Sequence, residues 1–216
     1  HADHGGGNNS TFSVRVTSST ETDTYSAIAA GIGSLKGPLH GGANLMVNAM
    51  LDDMKANIKN WKDQKEVDAY LIKILNKEVF DKTGLIYGIG HAVYTVSDPR
   101  AGLLKEMAHE LAKEKGLEKE FAFMELIEDR AVKVFMNYKG EGTKQTCINV
   151  DYYSGFVYEA IGLPKEVFTP LFAMARIVGW TAHRIEELNF SSKRIIRPAY
   201  KNVREKQPFV PMSQRD

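Results

Sequence analysis

The chain has 216 residues, of which 43% are hydrophobic and 25% are charged, proportions that are ordinary for a soluble globular protein. Its formal net charge of +1 gives no reason to expect a nucleic acid or a membrane surface as a partner. One cysteine, Cys147, excludes a disulfide within the chain and predicts a reducing, cytoplasmic setting, and no apolar run is long enough to span a membrane. The chain begins without Met on a polar motif, which predicts a fragment of a longer protein.

Apolar residues recur at helical spacing through most of the chain, so the sequence predicts a mainly α-helical protein. Strand signals are weak, and the segment from Phe12 to Val16 alternates only faintly. The predicted helices, in chain order, cover residues 43–58, 67–80, 103–138 with a break at Gly116, 157–161 and 167–188.

Four short segments carry most of the unusual polar residues: HADHGGGN (1–8), GPLHGG (37–42), GIGHAVYTVSDPR (88–100) and INVDYYSG (148–155). A histidine taken alone is more often a surface residue or a turn former than a ligand, and we assign that role to His109 and His183. The glycines offer no rigid frame for a metal ion and Cys147 has no companion, so we predict no metal site. The Gly-rich segments lack the features of a P-loop or a dinucleotide fingerprint.

These four segments, in this order and at these separations, resemble citrate synthase. The later segments AMARIVGWTAHRIEE and RIIRPAY extend the resemblance over essentially the whole chain. It implies an intertwined, mainly α-helical homodimer with a large and a small domain, of which this chain would be the C-terminal half. The small domain would be complete at 41–163, flanked by large-domain segments at 1–40 and 164–216. The resemblance also implies an acyltransferase that condenses acetyl-CoA with oxaloacetate and needs no cofactor.

Such a condensation begins by removing a proton from a thioester methyl group, which requires a base and a donor on the developing enolate oxygen. The resemblance implies that Asp151 is the base and His40 the donor. The apolar neighbours of Asp151 should raise its basicity by desolvation, while a helix N-cap is the alternative interpretation of this residue. His40 precedes a predicted helix, whose dipole disfavours imidazolium and leaves a neutral ring that can donate.

Oxaloacetate is a dianion with a ketone that must be polarised before the enolate attacks it. The resemblance assigns that polarisation to His91, and hydrogen bonds to the same substrate to His1, His4 and Asn8. The segment HADHGGGN would therefore form one wall of the oxaloacetate pocket, where glycines allow a close approach.

The two carboxylates of oxaloacetate call for arginines, because a guanidinium group can bind a carboxylate with two parallel hydrogen bonds. The matching residues are Arg100, Arg176 and Arg197, and Arg197 would reach into the partner subunit's site. Arg194 is an alternative for that last role. Arg176 lies in a segment that is apolar on every face, so we expect a buried helix in which the guanidinium group needs an anion, with a structural glutamate partner as the alternative to the substrate. Without the ligand we expect an open pocket to solvate its charge.

The expected CoA contacts involve one matching loop and one basic residue. Many relatives have a basic residue where this chain has Thr95, so we expect Lys144 to supply charge instead. The loop residues that match the adenine end of the site are Tyr87, Gly88, Ile89 and Gly90.

Two alternatives to citrate synthesis stay open. A 2-methylcitrate synthase would use propionyl-CoA with the same residues, and one extra methylene changes discrimination by only about 1–3 kcal/mol. An alternative of another class is an inactive fragment that acts only as a folded, dimerising module.

Overall fold

The computed structural model describes residues 1–37, 39–90, 94, 96–140, 142, 145–203 and 205–215. Within these ranges the chain forms eight α-helices and two short 3-10 helices, and it contains no β-strand there. The prediction of a mainly α-helical fold is confirmed. The α-helices are α1 (Asn9–Ser18), α2 (Thr24–Leu35), α3 (Ala43–Asn57), α4 (Gln64–Leu75), α5 (Pro99–Lys115), α6 (Glu118–Lys139), α7 (Asp151–Ala160) and α8 (Phe168–Leu188).

The predicted break at Gly116 is confirmed, because this residue ends α5 in the left-handed conformation with φ of 69°. The faint strand signal from Phe12 to Val16 is wrong, since this segment lies inside α1. The sequence did not predict α2, which is rich in Ala and Gly and therefore shows little periodicity. A side chain at Gly31 would lie 2.6 Å from Val14 and 3.2 Å from Trp180, so this glycine lets α2 pack closely against α1 and α8.

Helices α3 to α7 enclose the larger of two clusters of buried apolar side chains, which we call the α3–α7 core. Helix α7 lies between α3 and α5, and α6 packs on α4 and α5. The fully buried members of the α3–α7 core include Val47, Met50, Met54, Val67, Leu71, Ala108, Ile127, Ala131, Tyr152 and Tyr153.

Helices α1, α2 and α8 enclose a smaller cluster, which we call the α1–α2–α8 core. The two cores are joined at the start of α8, where the Thr169 hydroxyl donates to the Gly41 carbonyl oxygen at 3.3 Å. The cores lie on either side of the boundaries predicted at residues 41 and 163, and the division into domains stays a prediction. The buried residues of this smaller cluster are Val14, Ala27, Leu35, Phe172 and Trp180.

Beyond α8 the described residues form an extended, mostly exposed arm with one short 3-10 helix at Met212–Gln214. The arm is tied to the end of α1 by a hydrogen bond from Ile196 N to Ser19 Oγ at 3.0 Å and by the ion pair of Lys193 with Glu21 at 2.8 Å. None of the described helices is both long enough and apolar enough to cross a membrane.

Candidate active site

Helix α8 holds the first segment of the chain against its surface. Arg176 Nε donates to the His1 carbonyl oxygen at 2.6 Å, and the backbone N–H of Gly179 donates to Ala2 at 2.9 Å. A side chain at Gly179 would lie 2.5 Å from the Ala2 carbonyl oxygen, so only glycine permits this approach. The helix thereby fixes the position of the predicted oxaloacetate-binding histidines.

One turn further along α8, His183 also contacts the first segment of the chain. Its Nε2–H donates to the His4 carbonyl oxygen at 2.8 Å and lies 3.2 Å from Asp3 Oδ1. The assignment of His183 as a surface or turn residue is wrong, since its side chain is only 17% exposed and supports the histidine segment. His109, by contrast, is exposed on α5, as expected.

The side chains of His1 and His4 lie beside arginine charges. The His1 ring packs on Phe172 with ring centroids 4.0 Å apart, and its buried Nδ1 has no partner among the described residues. Burial lowers the pKa of His4, and the charges of Arg176 and Arg100 lower it further. A neutral His4 near two guanidinium groups is suited to an anionic ligand.

Hydrogen bonds of Asn8 and Ser10 connect the histidine segment to His40. Asn8 is the N-cap residue of α1 without a capping bond from its side chain, and its Oδ1 lies 2.9 Å from Ser10 Oγ. The Ser10 backbone N–H donates to His40 Nε2 at 3.4 Å, and Ser10 Oγ is 3.0 Å from the same nitrogen. A backbone amide can only donate, so this contact favours a lone pair on Nε2 and the proton on Nδ1.

The turn between α2 and α3 presents His40. The Gly41 N–H donates to the Leu35 carbonyl oxygen at 2.8 Å, and a side chain at Gly41 would lie 2.4 Å from that oxygen. His40 thus lies two residues before Gly42, the N-cap of α3. Burial lowers the pKa of His40, and the nearby charge of Arg176 acts in the same direction. The ring is therefore neutral at pH 7 with Nδ1–H available to donate.

Asp151 is the first residue of α7, and Val150 holds the N-cap position without a side-chain bond. The alternative interpretation of Asp151 as an N-cap is therefore wrong. Burial raises the pKa of Asp151 to about 6, while Arg100 and Arg176 lower it and Asp98 raises it. A carboxyl group with this pKa is ionised at neutral pH and is a stronger base than an exposed aspartate.

A short antiparallel pairing joins the predicted CoA loop to the segment before Asp151. Ile89 bridges Ile148, Gly90 N donates to the Cys147 carbonyl oxygen at 2.8 Å, and Asn149 N donates to Gly88 at 2.9 Å. Asn149 Nδ2 also donates to the Gly90 carbonyl oxygen at 3.0 Å. The loop at 87–90 is thereby held at a fixed position relative to the base.

Two residues of that loop differ in their contacts. Gly88 has φ of 81°, and a side chain there would lie 2.7 Å from the ring of Tyr152, so glycine is required. The Tyr87 hydroxyl donates to Asp81 Oδ2 at 2.6 Å. Tyr87 is therefore anchored to the preceding turn.

Arg100 is held by Asp98, a residue that sequence reasoning missed. Arg100 Nε and Nη2 donate to the two carboxylate oxygens of Asp98 at 3.0 and 2.8 Å. Asp98 Oδ2 also accepts from the backbone N–H of Val150 at 3.1 Å, next to Asp151. Asp98 is buried and caps α5 ahead of Pro99, so the aspartate–proline pair was a signal for its capping role but not for its contact with Val150.

Arg176 is 1% exposed, so the expectation that an open pocket solvates its charge is wrong. Its guanidinium group lies over the Phe172 ring at 4.8 Å, and Nη1 has no partner among the described residues. The alternative of a glutamate partner is also wrong for the described part of the chain, where Arg176 forms no ion pair. Burial and the charge of Arg100 lower its pKa. A bound anion between Arg100 and Arg176 would compensate the burial of the Arg176 charge and the repulsion between the two guanidinium groups.

The structure brings together His1, His4, Asn8, His40, Arg100, Asp151 and Arg176, through the contacts and shared electrostatic effects described above. Arg197 and Arg194 are exposed on the arm, and neither has a described bond to these residues. His91, Thr95 and Lys144 lie outside the described residues. Within the described ranges no group of three or more His, Cys, Asp or Glu side chains could hold a metal ion.

A family model for the C-terminal domain of citrate synthase matches residues 1–199. The citrate synthase of Synechocystis sp. is 41% identical over 217 residues, which cover 100% of this chain and 49% of that protein. The 2-methylcitrate synthase of Shewanella oneidensis is 37% identical, with 89% of this chain and 45% of that protein covered. The chain therefore spans about half the length of the curated relatives it matches.

Solved structures show the same likeness. Citrate synthase from Thermotoga maritima matches with a TM-score of 0.74 at 36% identity, over 97% of this chain and 52% of that chain. A citrate synthase from Thermoplasma acidophilum, in a ternary complex with carboxymethyl coenzyme A and oxaloacetate, matches with a TM-score of 0.73 at 34% identity. That match covers 99% of this chain and 52% of the other.

Proposed function

Because this chain belongs to the citrate synthase family, we propose that the whole protein of which it forms part condenses acetyl-CoA with oxaloacetate. The products are citrate and CoA, released after hydrolysis of citryl-CoA. The protein is thus an acyltransferase, with acetyl-CoA as a substrate and no resident cofactor.

The proposal depends on one observation: a basic carboxylate, a neutral histidine that can donate and two arginines lie near one another, so that the charges of the arginines act on the pKa values of the other groups. Asp151 has a pKa raised to about 6, the pKa of His40 is lowered, and the charge of Arg176 acts on both. Proton removal from a weak carbon acid needs the first two groups, and a dicarboxylate needs the arginines.

In the proposed first step, Asp151 takes a proton from the methyl group of acetyl-CoA. The electron pair of the broken C–H bond forms the enolate, whose oxygen accepts a hydrogen bond from His40 Nδ1–H. The enolate carbon then forms a C–C bond to the ketone carbon of oxaloacetate, and the ketone oxygen takes up a proton. We assign the polarisation of that ketone to His91. Water finally cleaves the thioester and releases CoA.

Residues on several helices and loops bind the two substrates. Arg100 and Arg176 pair with the oxaloacetate carboxylates, and the buried, unpartnered Nη1 of Arg176 supports this role. Hydrogen bonds to the same substrate come from His1, His4 and Asn8, and the loop at 87–90 together with Lys144 takes CoA.

We further propose a homodimer in which Arg197 serves the site of the partner subunit. Its exposed position on an extended arm leaves it able to reach beyond its own chain. A cytoplasmic location is part of the same proposal, supported by the single, buried Cys147.

The experiment is a thiol-release assay on the whole protein with oxaloacetate and either acetyl-CoA or propionyl-CoA. We expect oxaloacetate-dependent release of CoA that is faster with acetyl-CoA. Faster release with propionyl-CoA would favour 2-methylcitrate synthesis, a second candidate supported by the likeness to the Shewanella oneidensis enzyme. No release with either substrate would refute both. The 216-residue chain tested in parallel should be inactive, because relatives with the activity in their names are twice as long.

A further inference from the structure

Two asparagines on α3 are buried without the partners that such groups need. Asn44 is 0% exposed, and neither its Nδ2 nor its Oδ1 has a hydrogen-bond partner among the described residues. Asn48, one turn later, is 3% exposed, and its Nδ2 is also unpartnered there. Buried carboxamides without partners are rare because desolvation is then uncompensated. Each such group therefore needs a physical explanation.

Contacts along α3 and α7 show that these helices run side by side in the same direction. A side chain at Gly155 would lie 2.3 Å from Asn48 Oδ1, so these two residues face each other. One turn further on, Lys165 Nζ joins Asp52 and Glu159, each at 3.0 Å. Residue 48 thus faces residue 155, and residues 52 and 159 both lie within reach of the Lys165 ammonium group one turn later, as the same register requires.

The same register, continued one turn towards the start of both helices, pairs Asn44 with Asp151. Both residues lie in the first turn, since α3 begins at Ala43 and α7 at Asp151. Side chains on a helix lean towards its N-terminus, so both side chains point to the same end of the helix pair. The His40 turn precedes α3 at that end.

We propose that Asn44 is a positioning residue for Asp151, through a hydrogen bond from its Nδ2 to the ionised carboxylate. This inference rests on the proposed function, in which Asp151 is the base. In the structure the carboxylate oxygens of Asp151 accept no hydrogen bond from the described residues, and Asn44 Nδ2 has no acceptor among them, so a bond between the two side chains would satisfy both groups. The bond would hold the base in one rotamer, aimed at the thioester methyl group.

Charged groups face Asp151 from the other elements around it. Arg100 and Asp98 act on it from the start of α5, Arg176 acts from α8, and Tyr158 lies on its own helix. From α3 the facing residue is the neutral Asn44. Its Nδ2 stabilises the ionised carboxylate, so removal of the carboxamide should raise the pKa of Asp151 without any change in net charge.

The test compares Asn44→Leu with the wild-type whole protein by two measurements. The first is NMR titration of ¹³C-labelled aspartate carboxyl groups, with the Asp151 signal identified by its loss in Asp151→Asn. The second is the pH dependence of the thiol-release rate. We expect the Asp151 titration and the acidic limb of the rate to move to higher pH together. We also expect kcat at pH 7 to fall about 10-fold or more, a loss typical of a misaligned base, with little change in KM for oxaloacetate.

Asn48→Leu is the matched control, because it removes a second buried carboxamide from the same helix face one turn away. Its titration and rate limb should stay at the wild-type pH. An unchanged Asp151 titration in Asn44→Leu would overturn the inference, and so would an equal shift in Asn48→Leu. If Asn44→Leu does not fold, Asn44→Ala carries the same test, since it also removes the Nδ2 donor without a change in net charge. A wild-type protein without activity would refute the proposed function alone, because the titration does not depend on turnover.

Discussion

The two cores of this chain differ in how completely they cover their apolar side chains. The α3–α7 core encloses residues from five helices, and its members are mostly less than 10% exposed. The α1–α2–α8 core buries only a few residues, while large apolar side chains remain open on one face of α8. These exposed residues are Met174 at 67%, Val178 at 67% and Ile185 at 58%. The larger core therefore buries many more apolar side chains than the smaller one, and hydrophobic burial should stabilise it more.

The same two regions supply different parts of the candidate site. Asp151 and Arg100 lie at the starts of α7 and α5, which help to enclose the α3–α7 core. Arg176 lies on α8, which helps to enclose the α1–α2–α8 core, and the His4 backbone is bound by His183 of the same helix. The proposed base thus sits on the well-packed region and part of the anion site on the less covered one. Mutations in the first region should therefore impair the chemical step, and mutations in the second should impair ligand binding, so the two losses can be measured separately.

The largest expected effect is that of Asp151→Asn on catalysis. An amide cannot accept the methyl proton, so the condensation rate should fall by about 10²–10⁴-fold while oxaloacetate still binds. Thiol release and oxaloacetate calorimetry on the whole protein measure the two quantities. Asp129→Asn, an exposed aspartate on α6, is the matched control and should keep the wild-type rate. Comparable rates in the two variants would remove Asp151 from the mechanism.

Core truncations compare the two regions directly. Leu71→Ala in the α3–α7 core should lower the free energy of unfolding by about 2–5 kcal/mol, because rigid neighbours leave a cavity. Leu35→Ala should cost less, since its smaller cluster lies beside an open surface and can collapse around the gap. Urea unfolding of the 216-residue chain measures both. Equal losses would show that the smaller core is packed as rigidly as the larger one.

Two buried arginines on α8 should respond in opposite ways. Arg176→Met should weaken oxaloacetate binding by about 10–100-fold, as expected for the loss of a charged hydrogen bond. It should lower stability less than Arg184→Met does, because it breaks one hydrogen bond, from Nε to the His1 carbonyl oxygen, but also removes an unpartnered buried guanidinium nitrogen. Calorimetric titration and thermal melting of the whole protein test the two halves of this prediction.

Arg184→Met is the matched control for that experiment. Arg184 donates to Ser18 Oγ, to the Thr22 carbonyl oxygen and to Thr24 Oγ1 at 2.6–3.1 Å, so its guanidinium group is fully engaged in structure. Its replacement should lower the melting temperature and leave oxaloacetate affinity unchanged. If Arg176→Met melts lower than Arg184→Met, Arg176 is a structural residue.

The last expected effect concerns the dependence of stability on pH. The pKa of Asp151 is raised from 3.8 to about 6 in the folded state, so the protonated acid favours folding. This contribution is fully present below about pH 3.8 and is lost as the pH rises through about 6. In the 216-residue chain, Asp151→Asn should therefore melt higher than the wild type at pH 7.5, by about 6–12 °C, because a pKa difference of about 2 units corresponds to about 3 kcal/mol. Near pH 4 the two melting temperatures should be nearly the same. A difference that does not change with pH would mean that Asp151 titrates normally.

Local patterns in the sequence determined the fold class and the position of most helices. Periodic apolar residues marked α3, α4, α5, α6 and α8, and Gly116 marked a break, because both signals depend on neighbours within a few residues. Helix α2 was missed for the same reason, since its Ala- and Gly-rich sequence becomes helical through packing at Gly31 rather than through its own periodicity.

The contacts within the candidate site were decided only by the tertiary structure. Ser10 meets His40 across 30 residues, Asp98 meets Val150 across 52, and His183 meets the His4 backbone across 179. No short-range pattern encodes such meetings, because they follow from how whole helices pack. Burial was also decided by the tertiary structure, although the sequence predicted both Arg176 and Asp151 as site residues. Only the packing of the helices leaves Arg176 Nη1 without a partner among the described residues and raises the pKa of Asp151 to about 6.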